Sequence, residues 1–214
     1  MTALLPLGLV RLGDELPERV HAEAGLLARC ATSGLAVPAG GVLLEGYDDV
    51  GPLQPQGWVA VRVLGQPAAV RVPTDRPAVV AAALRTARLA TPAGARQDVL
   101  LLRAVPSVHA GRAWTGAEHD VARAVEAEAH ELAAGSEARE LVLRRLDRRW
   151  QRAHRGADEW RTPLPPWGMR LSRLLRDLRR TLGSARYEVT WADDGRVCRL
   201  LGVVPADERA GSTA

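Results

Sequence analysis

The 214-residue chain has no phenylalanine, and no lysine, isoleucine or asparagine occurs anywhere along it. These four residues share A/T-rich codons, so their joint absence reflects a G/C-rich coding bias. All 29 basic residues are therefore arginine, set against 25 acidic ones for a net charge of +4. A pI near 10.0 reached this way is weak support for a nucleic-acid partner. Long apolar runs are missing too: none approaches the roughly 18–20 residues of a membrane helix. The opening Met1 to Val10 carries no basic leader and soon meets Asp14 and Glu15, so no signal peptide and a cytoplasmic location are expected. Cysteine is scarce. Cys30 and Cys198 cannot build a disulfide framework, and they fit reduced, buried thiols.

Apolar side chains make up 47% of the sequence and charged ones 25%, a balance that suits one globular unit or two small lobes. Ala22, Leu26, Leu27 and Cys30 recur at helical spacing, with Gly34 placed to stop the helix. Gly41 to Leu44, Trp58 to Leu64, Ala69 to Val72 and Asp98 to Ala104 fit strands. Pro77 suits a first helical turn, after which Val80, Ala83, Leu84 and Ala87 share a face. The clearest helix carries Leu171, Leu174, Leu175, Leu178 and Leu182 as one stripe, arginines on its other faces and Gly183 as its stop. Tyr187 to Ala192 and Val197 to Val204 flank Asp193-Asp194-Gly195 and predict a β-hairpin. Val121 to Ala134 predicts a helix ending at Gly135. Glu140 to Arg155 admits a helix or a hairpin turning near Asp147, and its pattern favours the helix. Irregular alternation of helices and strands predicts an α+β fold.

The string from Gly25 to Leu44, Gly-Leu-Leu-Ala-Arg-Cys-Ala-Thr-Ser-Gly-Leu-Ala-Val-Pro-Ala-Gly-Gly-Val-Leu-Leu, resembles the opening of the ATP-grasp domain of phosphoenolpyruvate synthase and pyruvate phosphate dikinase. Three further segments follow in the family's order. Val59-Ala-Val-Arg62 resembles its Ala-Val-Arg-Ser-Ser strand, and Ala110-Gly-Arg-Ala-Trp-Thr115 its Ala-Gly-Val-Ala-Phe-Thr. Glu188-Val-Thr-Trp-Ala192 with Leu200-Leu-Gly-Val-Val-Pro205 resembles its closing hairpin. The resemblance covers residues 5 to 116 and 163 to 206. It implies an ATP-grasp-like fold of two small α/β lobes with mostly antiparallel sheets: an N-terminal lobe over 1–116, a C-terminal lobe over 117–206 and a flexible tail over 207–214.

Phosphoryl transfer needs cations against the polyphosphate and oxygen ligands for magnesium, because its transition state is stabilised by positioning and charge neutralisation. The resemblance implies that most of these groups are gone. The family lysine falls at Glu23, a residue that repels phosphate. The Ser-Ser-Ala-Thr-x-Glu-Asp loop after the strand arginine is deleted, leaving Arg62, Val63, Leu64, Gly65 and Gln66 in sequence. The adenine-side Gln-x-Met-Val falls on Leu102-Arg103-Ala104-Val105. The metal-binding glutamate falls at Thr190, the glutamine at Gly202 and the nearby arginine at Val204. Glu188, two residues from Thr190 on the same strand face, is a weak metal candidate.

Arg62, Gln66 and Arg103 thus remain as nucleotide- or phosphate-binding candidates. Arg62 sits in an apolar run where an unpaired charge is costly, so it needs either a bound anion or a local carboxylate such as Glu45 or Asp48. No histidine has the Gly-rich Thr-Ser-His context of the family's phosphoacceptor.

Other constellations carry less. Arg144, Arg145, Arg148, Arg149 and Arg152, with Trp150, form a basic cluster that an arginine-mediated nucleic-acid binder would use, but Glu137, Glu140 and Asp147 interleave. His119 and His130 fall near one face of the predicted helix, and two nitrogens are not a metal site. The sequence reading is an eroded ATP-grasp-like domain that senses a nucleotide or anion or binds a partner, such as a related enzyme. ATP is the cofactor the resemblance implies, with magnesium doubtful. Its first alternative is an active phosphotransferase subunit whose acceptor histidine lies on another polypeptide. The second is the nucleic-acid binder.

Overall fold

The computed structural model describes residues 9–48, 57–66, 69–92, 94–116, 119–125, 139–144, 150–152 and 165–206. The chain forms two compact units, one of Met1–Thr32 with Pro38–Ala104 and the other of Ser33–Val37 with Val105–Ala214. Both are built on an antiparallel sheet with few helices, so the fold is α+β as expected.

The first unit holds strands β1 (Leu9–Arg11), β2 (Gly40–Leu43), β3 (Trp58–Val63), β4 (Val70–Pro73) and β5 (Val99–Arg103), with helices α1 (Ala22–Thr32) and α2 (Pro77–Leu89). Its strand order is β1-β2-β5-β3-β4. Period-two alternation decides the two faces of the sheet. Val59, Val61, Val63, Leu43, Val72, Val99 and Leu101 pack with Val80, Ala83 and Leu84 of α2 in one core. Each fully buried Val or Leu contributes about 1.5–3 kcal/mol. Pro77 opens α2, where its fixed φ suits a first turn. The opposite sheet face carries Ala60 and Arg62 of β3 beside Leu102 and Leu100 of β5, and α1 reaches it through Glu23.

The second unit holds β6 (His109–Trp114), β7 (His119–Val125), β8 (Arg139–Arg144), β9 (Trp150–Arg152), helix α3 (Pro166–Leu182), β10 (Tyr187–Asp193) and β11 (Cys198–Pro205). The strands run in the order β11-β10-β6-β7-β8-β9. Helix α3 buries Trp167, Leu171, Leu174, Leu175 and Leu178. Trp167 stacks on Trp191 of β10 with centroids 5.3 Å apart and planes 16° from parallel. Offset aromatic pairs of this kind add about 0.5–1.5 kcal/mol beyond the area they bury. The predicted hairpin is present. Gly195 has φ +87° in its turn, and the Asp194 carboxylate accepts the N–H groups of Arg196 and Val197 at 2.8 and 2.7 Å.

Two expectations are corrected here. The helix predicted from Val121 begins instead as β7, which pairs with β6 on one side and β8 on the other. Its alanines favour a helix intrinsically, but Asp120, Ala122 and Ala124 are buried at a period of two, and from Val121 to Ala124 the strand is paired on both sides. The segment from Glu140 is likewise not a helix: β8 pairs with β9 in the register Leu141 to Arg152, Val142 to Gln151 and Leu143 to Trp150. The hairpin is the arrangement realised. The rest of the predicted helix, 126–134, and the tail, 207–214, lie outside the described residues. Among the described residues β6 pairs with β7 and β10, and it falls in the second unit.

Candidate functional site

Strand alternation aims Arg62 away from the Val61 and Val63 core and toward α1. There Glu23, one residue into the helix and 2% exposed, meets it. Arg62 Nη2 donates to Glu23 Oε1 at 2.5 Å and Nη1 to Oε2 at 3.1 Å, a bidentate fork. Nη1 also donates to the Gln66 carbonyl at 3.2 Å. The Gly65 N–H donates to Glu23 Oε2 at 3.2 Å, so the loop after β3 closes over the pair. The Glu23 N–H in turn donates to His21 Nδ1 at 3.2 Å.

A second buried carboxylate braces this region. Asp98, fully buried just before β5, accepts the N–H of His21 and that of Glu45, both at 3.0 Å. The Arg96 guanidinium also bonds to it. That side-chain hydrogen bond, opposed by burial and helped by the charges of Asp98 and Glu45, holds the Arg96 pKa above its ordinary value. Asp98 thus ties the start of α1, the end of β2 and the start of β5 together.

Of the two alternatives for Arg62, a bound anion or a local carboxylate, a carboxylate is present, and it is neither of the examples Glu45 and Asp48. The Glu45 backbone is bound to Asp98, and Asp48 pairs with Arg88 of α2. The partner is Glu23, which sequence reasoning treated only as a lost lysine. An acid at that position and a base on the neighbouring strand were visible together, and the pairing is the signal that was missed. Gln66 is brought to Arg62, through its backbone carbonyl. Arg103 is not brought there: it is exposed at the end of β5, opposite Val59 and so on the other face of the sheet from Arg62.

In the second unit Glu188 is 8% exposed. Its Oε1 lies 3.4 Å from Arg112 Nη1 on β6, so a cation already faces it. Thr190, on the same face by alternation, pairs in register with Gly202 and with Arg112. Among the described residues no three His, Cys, Asp or Glu side chains converge as a metal site. Of the arginine cluster, Arg144 ends β8 opposite His119 and Arg152 ends β9 opposite Leu141. Arg145, Arg148 and Arg149 lie outside the described residues, as does His130, and His119 lies on a strand.

Two further ion pairs fasten α3 to its sheet. Arg170 Nε and Nη2 donate to Asp193 at 2.7 and 2.6 Å, and Arg179 Nη1 donates to both oxygens of Asp120 at 2.8 and 2.9 Å. Both carboxylates are fully buried. The hydrogen bond to Asp193, opposed by burial, raises the Arg170 pKa. Cys30 and Cys198 are buried thiols. Burial, opposed by Arg29, pushes Cys30 up to about 11, and burial with the charge of Asp193 pushes Cys198 up as well.

No family model matches the chain, and no curated protein does. Solved structures similar to it include D-alanine–D-alanine ligase from Bacillus anthracis, at 9% identity over 85% of this chain and 54% of that one, TM-score 0.49. The ligase from Helicobacter pylori is similar at 9% identity over 83% and 48%, TM-score 0.46. So is carboxyaminoimidazole ribonucleotide synthase from Aspergillus clavatus, complexed with ATP, at 11% identity over 85% and 43%, TM-score 0.47. The chain spans about half the length of each.

Proposed function

We propose that the chain is a shortened ATP-grasp-like domain of the phosphoenolpyruvate synthase type that acts without phosphoryl transfer, as an anion- or nucleotide-sensing or partner-binding protein. The collinear sequence resemblance supports the family reading. The observation that carries the functional one is the bidentate Glu23–Arg62 pair. Arg62 is the arginine that the resemblance assigns to nucleotide phosphate, and Glu23 stands where the family has a lysine.

With its fork filled by a carboxylate, Arg62 has little charge left for an incoming phosphate. The phosphate would also meet Glu23 as a like charge, a repulsion of about 4 kcal/mol for unit charges 4 Å apart at an effective dielectric of 20. The pair therefore replaces, from within the chain, what a bound triphosphate would supply. At the hairpin, the proximity of Arg112 to Glu188 supports the same reading, since a divalent ion there would have to compete with a guanidinium already in place.

Incubating the protein with γ-labelled ATP and magnesium tests this reading. The expected result is no labelled protein and no release of labelled phosphate above the rate in buffer. Label transferred to the protein or to water in proportion to its concentration would instead favour the active phosphotransferase.

A further inference from the structure

Residues 33–36, which follow α1, belong to the second unit, and the Leu200 N–H donates to the Ala36 carbonyl at 2.9 Å. Together with α3 and the turn of the β10–β11 hairpin they line an open pocket of about 480 Å³. Arg170, Arg173, Asp177 and Arg180 recur at helical spacing and form one wall, and Arg196 of the turn faces it from another. The apolar Leu174 and Val197 also line the pocket.

The charges in this pocket do not balance. Arg170 is neutralised by Asp193. Arg180 meets Asp177 at 3.3 Å in an exposed i,i+3 pair, which is worth little. Asp194, next to Arg196 in sequence, bonds the turn N–H groups and meets Arg199 at 3.5 Å. Among the described residues the guanidinium groups of Arg173 and Arg196 have no partner. Arg173 and Arg196, both exposed, thus line a concave space that holds four arginines against one acid, Asp177, an excess of positive charge that attracts an anion. Their planar forks match a phosphate with paired hydrogen bonds, and the volume falls within the roughly 300–1,000 Å³ of small-molecule sites.

We infer that this pocket binds a phosphate group, free or on a small metabolite, gripped by Arg173 and Arg196 with Arg170 and Arg180 completing the positive wall. The site shares no residue with the Glu23–Arg62 region and stands whether or not the ATP-grasp reading does.

Calorimetric titration of the full chain at low salt, without nucleotide, tests the inference, with inorganic phosphate and glycerol 3-phosphate as separate probes. One saturable site per chain is expected. Arg173→Ala and Arg196→Ala should each weaken it at least about tenfold, whereas Arg85→Ala, which removes an equal charge from the exposed side of α2, should leave it unchanged. Tighter binding of the ester than of phosphate would assign the site to a phosphorylated metabolite, and equal binding to free phosphate. Arg173→Gln and Arg196→Gln, which keep most of the aliphatic stem, take the place of any alanine variant that loses its thermal transition. The inference fails if neither probe saturates by about 10 mM, or if binding survives both substitutions, or if Arg85→Ala weakens it equally.

Discussion

Removing either member of the Glu23–Arg62 pair leaves the other charge buried, and breaking such a pair costs about 3–5 kcal/mol. With Glu23 at 2% side-chain exposure and Arg62 at 12%, Glu23→Ala and Arg62→Ala should each lower the stability measured by urea unfolding by about 3 kcal/mol. The double variant Glu23→Ala/Arg62→Ala should lose clearly less than the sum of the two, since residues in one network couple. Additive losses would show the two side chains to be independent. The thiols give a second test at this scale. The thiolate is the nucleophile and burial pushes Cys30 up to about 11, so neither cysteine should react with a disulfide reagent at pH 8 until denaturant is added. Composition made buried thiols legible. The identity of the Arg62 partner was not, because Glu23 and Arg62 are 39 positions apart and only the packing of α1 on β3 joins them.

At the scale of elements, the hairpin and α3 were legible because each rests on local chemistry: a glycine turn between apolar runs, and a leucine stripe bounded by proline and glycine. Gly195 has φ +87°, and a side chain in that region costs about 1–2 kcal/mol. Gly195→Ala should therefore lower the thermal midpoint, and an unchanged midpoint would mean that the turn relaxes without strain. Asp194 adds a pH dependence. Burial alone would raise its pKa, but the N–H groups of Val197 and Arg196 and the charge of Arg199 outweigh it, so the carboxyl titrates below its ordinary value. A depressed folded-state pKa stabilises the fold above the unfolded value and is lost as pH falls through the folded one. Stability should therefore decline below about pH 4, and less steeply in Asp194→Asn. The β7–β9 meander was not legible in sequence. Its alanine, leucine and arginine content is that of a helix, and the strand is imposed by the hydrogen-bonding edge that β6 offers to Ala122 and Ala124. Tertiary context of this kind routinely overrides local propensity.

At the scale of the whole molecule, the chain consists of two units, and among the described residues each holds buried carboxylates answered from within: Glu23 by Arg62, Asp98 by Arg96, Asp120 by Arg179 and Asp193 by Arg170. In each of these pairs a buried carboxylate meets an arginine. An arginine-only basic set suits this role, because guanidinium is weakly hydrated and always charged. On the proposed reading, the Glu23 pairing occupies an arginine that a phosphotransferase would leave for the nucleotide. Titration calorimetry of the full chain with ATP and magnesium tests that distinction most directly. The account predicts no magnesium-dependent binding tighter than about 0.1 mM, because Arg62 is already neutralised. Micromolar, magnesium-dependent binding, lost in an Arg62→Ala variant that still shows a cooperative thermal transition, would contradict it.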